Sequence, residues 1–477
     1  MFVTGVRQFR LAMAMVWGRR IDPRMVELLI RDALRTLEEF GTPGAEVEQL
    51  LDGPFADPAI REDFQTRALR RTARRLVDRS PFYAALLADN GVDPAKLELG
   101  AMHRIPVTTK AQLIEHQQQF LCRGSTPFLT TRTTGTTGRP AEVWLSRYEA
   151  ELWPALASLS GLLRGEISPN DHMQINISSR ATAAIQQNVV VCRLVGARAS
   201  VLGVIPPDQS LDCLLGAGQQ APTLLATYPS YLAELVNAAE RRGLHAADFR
   251  LRRIDVGGEV LSPSLAAAAR QIFGAAQIND TFAMTEVLPV SGRSCAQGHL
   301  HHDLNMGLVE IISLDTGSPA EPGELGTVVI TPFYPYRECM PVFRYDTRDV
   351  VRQLPDEPLT CDLAGTPATS AVVGKAGALL HDGRALVTNR DLVEALEGLP
   401  TRPWPARFSA MTEAGRLRLS VPAASVRGLD PAVLLRPFEL RGIDLDLVPV
   451  ELGTAEARQL RTVRSDLRET TFAPAGV

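Results

Sequence analysis

Lysine is scarce in this sequence of 477 residues. Only Lys96, Lys110 and Lys375 occur among its 50 basic residues, and all the others are arginines. A GC-rich genome accounts for such a bias without any functional cause. The shortage nevertheless restricts any chemistry that needs an ammonium group to three positions.

Long apolar runs, closely spaced cysteines and an excess of positive charge are also absent. No segment has the roughly 20 consecutive apolar residues of a membrane-spanning helix. The first 20 residues lack a small-residue cleavage pattern, which favours an amphipathic helix over an export signal. Six dispersed cysteines predict a cytoplasmic protein without a disulfide framework. The net charge of −4 argues against an electrostatic nucleic-acid partner.

The remaining composition is that of a globular protein with regular secondary structure. Residues 1–100 have helical periodicity, and we expect the arginines of 61–79 to line a solvated helix face. From about residue 125 onward, strand-like runs alternate with Ala- and Leu-rich helical stretches, which predicts a layered α/β domain. The strand-like runs are 175–177, 189–191, 223–227, 253–256 and 328–331.

A change in amino-acid composition marks a candidate domain boundary. The segment 353–370 has the composition of a linker, and strand patterns return at 416–421 and 444–452. The sequence therefore predicts a large N-terminal domain over 1–372, helical over about 1–100, followed by a small, mobile α+β domain over 373–477.

Threonine and glycine alternate in the segment 130–144, TTRTTGTTGRPAEVW. Glycines allow positive φ angles and a close approach to an anion, while N–H groups and hydroxyls donate to phosphate oxygens. The spacing is not that of a Walker A loop. The segment is a candidate phosphate loop, and a flexible surface loop is the alternative. Its candidate residues are Thr133, Thr134, Gly135, Thr136, Thr137 and Gly138.

This loop resembles the ATP loop of adenylate-forming enzymes, and most closely that of their phenylacetate–CoA ligase branch. Other segments resemble that branch in the same order, and they are 105–113 (IPVTTKAQL), 226–235 (ATYPSYLAEL), 255–263 (DVGGEVLSP), 280–287 (DTFAMTEV), 295–312, 324–331 and 340–351. The resemblance implies the α/β fold of that superfamily, with a large layered N-terminal domain and a small mobile C-terminal domain.

The resemblance also implies an activity. A small carboxylic acid, aromatic or polar, would react with ATP and Mg²⁺ to give an acyl-adenylate. CoA, an acyl carrier protein or an amine would then take the acyl group and release AMP, in specialised biosynthesis. The alternatives are a ligase-like hydrolase or acyltransferase that has lost adenylation, and a non-catalytic protein that binds a nucleotide or acyl ligand. A homodimer is left open.

Residue roles follow from the same resemblance. The loop 133–138 would hold the β- and γ-phosphates, Thr285 would lie beside the α-phosphate, and Glu286 would bind Mg²⁺. Asp349 would bond the ribose hydroxyls. The further nucleotide contacts that the resemblance implies are Gly257, Gly258, Glu259, Asp280, Phe282 and Lys375.

The acyl pocket implied by the resemblance includes Tyr228 and Ala283. The segment 172–180 could form its far wall, with Asn176 and Arg180 among its polar residues. Buried polar groups penalise an apolar acid that leaves them unpaired. The pocket therefore favours a polar acid.

Two departures from the family pattern concern the C-terminal part. The family's hinge Gly-Arg-x-Asp is replaced by 374–377, GKAG, and no lysine follows Lys375, although the family presents a catalytic lysine from a late loop. Three explanations remain open: Arg458 or Arg461 substitutes, Lys375 or Lys110 substitutes, or adenylation is inefficient. An arginine is not a conservative replacement at such a position.

A Cys- and His-rich loop is a candidate zinc site. Some members of the branch hold a structural zinc on a Cys and a His at the position of Cys295 and His301, completed by a downstream Cys-x-Cys pair. Here that pair retains only Cys361. Four N or S ligands are needed, and the candidates for the fourth are Cys339, His299 and His302. Buried, unmetallated cysteines are the alternative.

Overall fold

The computed structural model describes residues 2–41, 57–133, 140–216, 218–303, 305–355, 357–381, 386–413, 416–451, 453–454, 457 and 460–462. The helices of these residues are α1 (Phe2–Trp17), α2 (Pro23–Phe40), α3 (Pro58–Arg79), α4 (Pro81–Asp89), α5 (Lys110–Glu115), α6 (Gln117–Phe120), α7 (Arg147–Leu163), α8 (Thr182–Val195), α9 (Pro207–Leu214), α10 (Pro229–Arg241), α11 (Pro263–Phe273), α12 (Asn389–Glu397), α13 (Ala423–Val426) and α14 (Ala432–Glu439).

The strands of the described residues form a large sheet and several smaller ones. They are β1 (Pro127–Arg132), β2 (Glu142–Ser146), β3 (His172–Asn176), β4 (Arg198–Val201), β5 (Leu224–Thr227), β6 (Arg253–Gly257), β7 (Gln277–Ala283), β8 (Ser291–Ser294), β9 (His299–His302), β10 (Gly307–Ser313), β11 (Leu325–Pro332), β12 (Tyr345–Arg352), β13 (Ala368–Ser370), β14 (Gly374–Lys375), β15 (Leu380–His381), β16 (Leu386–Val387), β17 (Arg407–Glu413), β18 (Arg416–Pro422), β19 (Leu445–Val450) and β20 (Arg461–Thr462).

The large sheet has eight strands in the order β13-β9-β8-β7-β6-β5-β3-β4. Strands β3 to β7 are parallel to one another, and β8, β9 and β13 extend the sheet in antiparallel pairs. A second sheet has the order β10-β11-β12-β14. Because parallel strands end at the same edge, the sheet collects the segments after β5, β6 and β7 in one place.

Capping residues in the sequence explain where two helices, α11 and α5, begin. Ser262 caps α11 by accepting from Leu265 N at 3.1 Å, with Pro263 at the first helical position. Thr109 and Gln112 form a capping box at α5, which starts at Lys110. The first cap follows the Gly-Gly-Glu turn, and the second lies next to Lys110, one of the open substitutes for the missing late lysine.

The run 189–191 is helical, so the predicted strand there was wrong. It lies inside α8, which ends at Gly196 in the left-handed conformation, with φ of 89°. Cys192 and Val195 are the buried residues of this helix, three positions apart as a helix face requires. The β propensity of three valines is a weak preference that tertiary packing overrides.

The sequence predicts that the arginines of α3 line a solvated face, but two of them contact other parts of the protein. Arg71 extends its guanidinium group against Gly18, whose positive φ of 58° favours glycine. Arg75 stacks over the ring of Tyr334 at 4.5 Å. The amphipathic N-terminal helix, by contrast, is confirmed as α1.

The C-terminal part has its own buried cluster. Helices α12 and α14 share this cluster with β17, β18 and β19, and its members include Leu392, Leu396, Phe408, Leu419 and Phe438. Strands β18 and β19 confirm the strand patterns seen at 416–421 and 444–452. The boundary at residue 373 stays a prediction. Among the described residues, no helix is both long and apolar enough to span a bilayer.

Candidate active site

A continuous cavity of about 2950 Å³ opens at the carboxyl ends of the parallel strands. Its lining includes the last residues of three strands, which are Thr227 of β5, Gly257 of β6 and Ala283 of β7. Ligand pockets of roughly 300–1,000 Å³ are usual, so a nucleotide and an acid can lie in this cavity together. The position agrees with the rule for open α/β sheets.

The base of the candidate phosphate loop is part of this cavity. Thr133 exchanges hydrogen bonds with Ala141: its N–H donates to the Ala141 carbonyl, and its hydroxyl accepts from Ala141 N, each at 3.0 Å. These bonds close the loop at its two ends. Thr134, Gly135, Thr136, Thr137 and Gly138 lie outside the described residues, as does the C-terminal candidate Arg458.

The 257–262 turn follows β6 and lines the cavity. A Cβ at position 257 would lie 2.6 Å from the Thr281 carbonyl oxygen, so only glycine fits there. Gly258 has φ of 77° and faces the Tyr228 ring. The Glu259 carboxylate accepts from Ser230 N at 2.8 Å, which fixes the turn to the start of α10.

Asp280 on β7 lines the same cavity, with Phe282 and Ala283 close by in sequence. Burial raises the pKa of the Asp280 carboxyl to about 6, and the positive charge of Arg390 opposes the rise. Arg390 lies on α12, in the C-terminal part. The structure thus brings together Tyr228, Asp280, Phe282 and Ala283, as the resemblance implied.

Glu286 is the most deeply buried acid of the cavity lining, with only 3% of its surface exposed. Tyr345 Oη donates to Glu286 Oε1 at 3.3 Å, and Lys110 Nζ lies 3.9 Å from the same oxygen. Burial lowers the pKa of Lys110, the Glu286 carboxylate opposes this change, and the nearby Lys375 adds to it. Thr285, beside Glu286, also lines the cavity.

Tyr345 is a site residue that the sequence reasoning missed. Its pKa is raised by burial and further by the Glu286 carboxylate, which keeps the hydroxyl a hydrogen-bond donor. It begins the strand that carries Asp349, within the segment 340–351 that resembles the family. That position was the available signal, but pairing with Glu286 depends on the tertiary fold.

Asp349 and Lys375 meet where β12 pairs with β14. Lys375 Nζ donates to Asp349 Oδ2 at 2.8 Å and to the Thr347 carbonyl at 3.1 Å. Asp349 keeps a second carboxylate oxygen for other donors. Lys375 therefore fixes Asp349, the residue to which the resemblance assigns the ribose.

Fewer polar residues of the segment 172–180 line the cavity than the sequence predicts. Ser178, Ser179 and Arg180 line the cavity, but Asn176 is buried and bonded within the protein. Its amide donates to the Gly203 carbonyl at 2.8 Å and its carbonyl accepts from Gln174 at 2.8 Å. Asn176 thus joins strands and loops of the sheet, and it does not face a ligand.

Cys295, His299, His301 and Cys361 form a cluster near the sheet edge. One ligand atom from each lies within 4.8 Å of all the others. Cys361 Sγ is 3.3 Å from His301 Nε2, and His301 Nδ1 lies 2.9 Å from the hydroxyl of Thr366. A partner on the second ring nitrogen orients a histidine for metal binding. Two thiols and two imidazoles fit the tetrahedral preference of zinc.

Cys339 is not part of this cluster, so its prediction as a zinc ligand was wrong. Its N–H donates to Glu149 Oε1 at 3.2 Å, its carbonyl accepts from Cys122 N, and its side chain is fully buried. Burial raises the pKa of its thiol to about 12. His302 is also engaged elsewhere, with Nε2 3.0 Å from the Thr369 hydroxyl. His299 is the fourth member of the cluster.

Comparisons with known proteins agree with this architecture. The model of the AMP-binding enzyme family matches residues 59–331. The phenylacetate-coenzyme A ligase of Thermus thermophilus is 24% identical over 60% of this chain and 64% of its own length, and that of Escherichia coli K12 is 25% identical over 61% and 67%. The first alignment thus spans less than two thirds of that relative.

Solved structures show the same fold. A 2-hydroxyisobutyryl-CoA ligase in the postadenylation state superposes with a TM-score of 0.67 and 20% identity, covering 83% of this chain and 87% of its own. This likeness confirms the predicted mixed α/β fold class. With the family match over more than half of its length, the chain belongs to the AMP-binding enzyme family.

Proposed function

We propose that this protein activates a small carboxylic acid with ATP, forms an acyl-adenylate and transfers the acyl group to a thiol. One observation carries the proposal. Glu286, Lys110, Asp349 and Lys375 meet in one cavity at the carboxyl ends of the parallel strands, below the base of a Thr/Gly loop.

The reaction needs positioning and neutralisation of charge more than covalent chemistry. A carboxylate oxygen attacks the α-phosphorus of ATP, the bond to the β-phosphate oxygen breaks, and pyrophosphate leaves with that electron pair. Donors fixed in a cavity stabilise the charge that develops on the phosphate oxygens. Thr285, the backbone of the loop and Lys110 are the groups that this chain would supply.

Mg²⁺ would bind at Glu286. The carboxylate is buried, and Tyr345 and Lys110 lie near its Oε1. In the described part of the chain, its Oε2 has no such neighbour and could bind a hard cation. Mg²⁺ in such sites takes one or two carboxylates together with the phosphates of the substrate. When bound, it would neutralise charge on the nucleotide.

Lys110 is the residue that we favour among the substitutes for the missing late lysine. Its ammonium lies 3.9 Å from Glu286, it is partly buried, and it is fixed at the first position of α5. Lys375 is held by Asp349 instead. A lysine on a short capped helix supplies its charge without a lysine from a late C-terminal loop.

CoA is the acceptor that we favour because the similar curated proteins are phenylacetate-coenzyme A ligases. An acyl carrier protein or an amine is the alternative. The acid would be small and aromatic or polar, since Tyr228 and Phe282 lie in the lining with Ser178 and Ser179. A role in specialised biosynthesis stays a prediction.

Zinc would be held by Cys295, His299, His301 and Cys361, a Cys₂His₂ set. Its role would be structural, because four protein ligands leave no open position for a substrate. The metal would tie β8 and β9 to the segment around Cys361, which the sequence had predicted to be a simple linker.

Pyrophosphate release with a panel of carboxylic acids tests the adenylation step. We expect acid-dependent release, lost in Glu286→Gln and retained in Glu115→Gln, whose side chain is 73% exposed. Cleavage of acyl thioesters or esters without acid-dependent release would support the hydrolase or acyltransferase alternative. Nucleotide binding without either activity would support a non-catalytic protein.

A further inference from the structure

The second half of the 257–262 turn is held by the C-terminal part of the chain. The Ser262 hydroxyl donates to Glu397 Oε2, and Arg390 Nη1 donates to the Leu261 carbonyl at 3.2 Å. Val260 belongs to the buried cluster of the C-terminal part, with Leu392 and Leu396 of α12. Three consecutive residues of the turn therefore contact one helix or its cluster.

The first half of the turn contacts the large sheet and α10. Gly257 packs on the Thr281 carbonyl, and Glu259 is bonded to Ser230 N, so both are fixed by the parallel sheet and α10. The two halves of the turn, which differ in their contacts, therefore meet between Glu259 and Val260. In the described part of the chain, residues beyond 386 contact the half that leads into α11.

Little water competes for the hydrogen bond between Ser262 and Glu397, because Glu397 is buried. Its side chain is buried, with 1% of the residue exposed, and its other oxygen accepts from Ala406 N at 3.4 Å. Ser262 at the same time accepts from Leu265 N. One hydroxyl thus connects the cap of α11 to the last residue of α12.

Arg390 makes a second connection, between the turn and the hinge. Its Nε donates to the Val372 carbonyl at 2.8 Å, two residues before β14, and its charge acts on Asp280 in the cavity. A movement of α12 would therefore change the support of Leu261 and the electrostatic environment of Asp280 together.

We propose that Glu397 and Arg390 are positioning residues for the nucleotide, which shape the 257–262 turn only while α12 is docked on it. The inference rests on the proposed function, because the turn is a nucleotide contact only in an AMP-binding site. It follows that nucleotide binding and docking of the C-terminal part favour each other, since a ligand stabilises the state that binds it.

The test measures AMP affinity of the full chain by calorimetry for Glu397→Ala, Glu397→Gln and Arg402→Gln. We expect the Ala variant to bind AMP about tenfold more weakly. The Gln variant, whose amide oxygen still accepts from Ser262, should stay within about threefold. Arg402→Gln is the control, since it removes an exposed ion pair between the C-terminal part and Glu240 that does not touch the turn.

Steady-state kinetics separate positioning from general damage. With an acid that supports turnover, Glu397→Ala should raise the KM for ATP and leave kcat and the KM for the acid near the wild-type values. Unchanged AMP affinity, or an equal loss in all three parameters, overturns the inference. If Glu397→Ala does not fold, Ser262→Ala and Arg390→Gln replace it with the same expected result. A wild-type chain that binds no adenine nucleotide contradicts the proposed function itself.

Discussion

Lys110 is the single residue on which the proposed adenylation step depends most, after Glu286. It is one of three lysines in the chain, it heads α5, and its Nζ lies 3.9 Å from Glu286. Its partial burial lowers its pKa, while the Glu286 carboxylate favours the charged form. Water screens a partly buried charge less than an exposed one, so the Lys110 ammonium would interact more strongly with a charged substrate.

Lys110→Gln should therefore slow acid-dependent pyrophosphate release by about 10²–10³-fold, the usual loss for one fixed electrostatic donor. Lys96→Gln is the matched control, because its side chain is 84% exposed and lies on a surface turn. An unchanged rate for Lys110→Gln would assign the role to another cation, with Arg458 or Arg461 as candidates.

Asp280 should make stability depend on pH. An unfolded aspartate titrates near 3.9, whereas the folded carboxyl has a pKa of about 6. Between these values the folded state holds the proton and the unfolded state does not, so the free energy of unfolding falls as pH rises from about 4 to about 6. Above pH 6 the contribution is constant.

Asp280→Asn removes this contribution. Its urea midpoint relative to the wild type should rise between pH 4 and pH 6 and then level off, and paired urea titrations at each pH measure the difference. Asp93→Asn, an exposed control with a 50% accessible side chain, should show no such trend. A constant difference from pH 4 to pH 8 would mean that Asp280 titrates normally.

At the scale of elements, the candidate zinc site joins segments that are distant in sequence. Strands β8 and β9 bring Cys295, His299 and His301 together, and β13 pairs with β9 soon after Cys361. The histidines alternate with apolar positions along β9, with Leu300 between them. A metal would therefore fix the outer edge of the large sheet.

Metal analysis of protein prepared without chelators should find one zinc per chain. Cys361→Ser and His299→Ala should lose the metal, because each removes one of four ligands. Cys339→Ser should keep it, since that thiol belongs to a different buried region beside Glu149. A metal-free wild-type preparation, or loss of zinc in Cys339→Ser, would contradict the assignment.

The elements also show what the sequence could predict. The Thr/Gly loop, the Gly-Gly-Glu turn and the Thr-Glu pair are local patterns that the sequence alone reveals, and Gly257 and Glu286 both line the cavity. Their partners are set by the packing of distant segments, as Lys110 and Tyr345 are for Glu286. The choice of Cys339 failed for the same reason, because spacing along the chain does not reveal which strands pair.

The described residues form three buried clusters, and two of these clusters meet at α11 and α12. Val260, on the turn, belongs to the C-terminal cluster, and Trp404, in the C-terminal part, belongs to the cluster formed by α10 and α11. Each part thus places one apolar residue in the core of the other. The predicted mobile domain is therefore docked through a specific interface in this structure.

Trp404 should hold the two parts in one cooperative unit. Its side chain is buried, only 7% of the residue is exposed, and its carbonyl accepts from Asn237 of α10 at 3.3 Å. Truncating a buried tryptophan costs about 3–5 kcal/mol. Because this loss falls on the interface, Trp404→Ala should release the C-terminal part to unfold before the large sheet.

Urea unfolding followed by circular dichroism and tryptophan fluorescence should then show two transitions in Trp404→Ala and coincident curves in the wild type. AMP should bring the two transitions of the variant closer together, because its binding favours the docked state. Trp17→Ala, at a 55% exposed position on α1, should behave like the wild type. A single transition in Trp404→Ala, unchanged by AMP, would show that the two parts are coupled elsewhere and that the Trp404 contact is dispensable for docking.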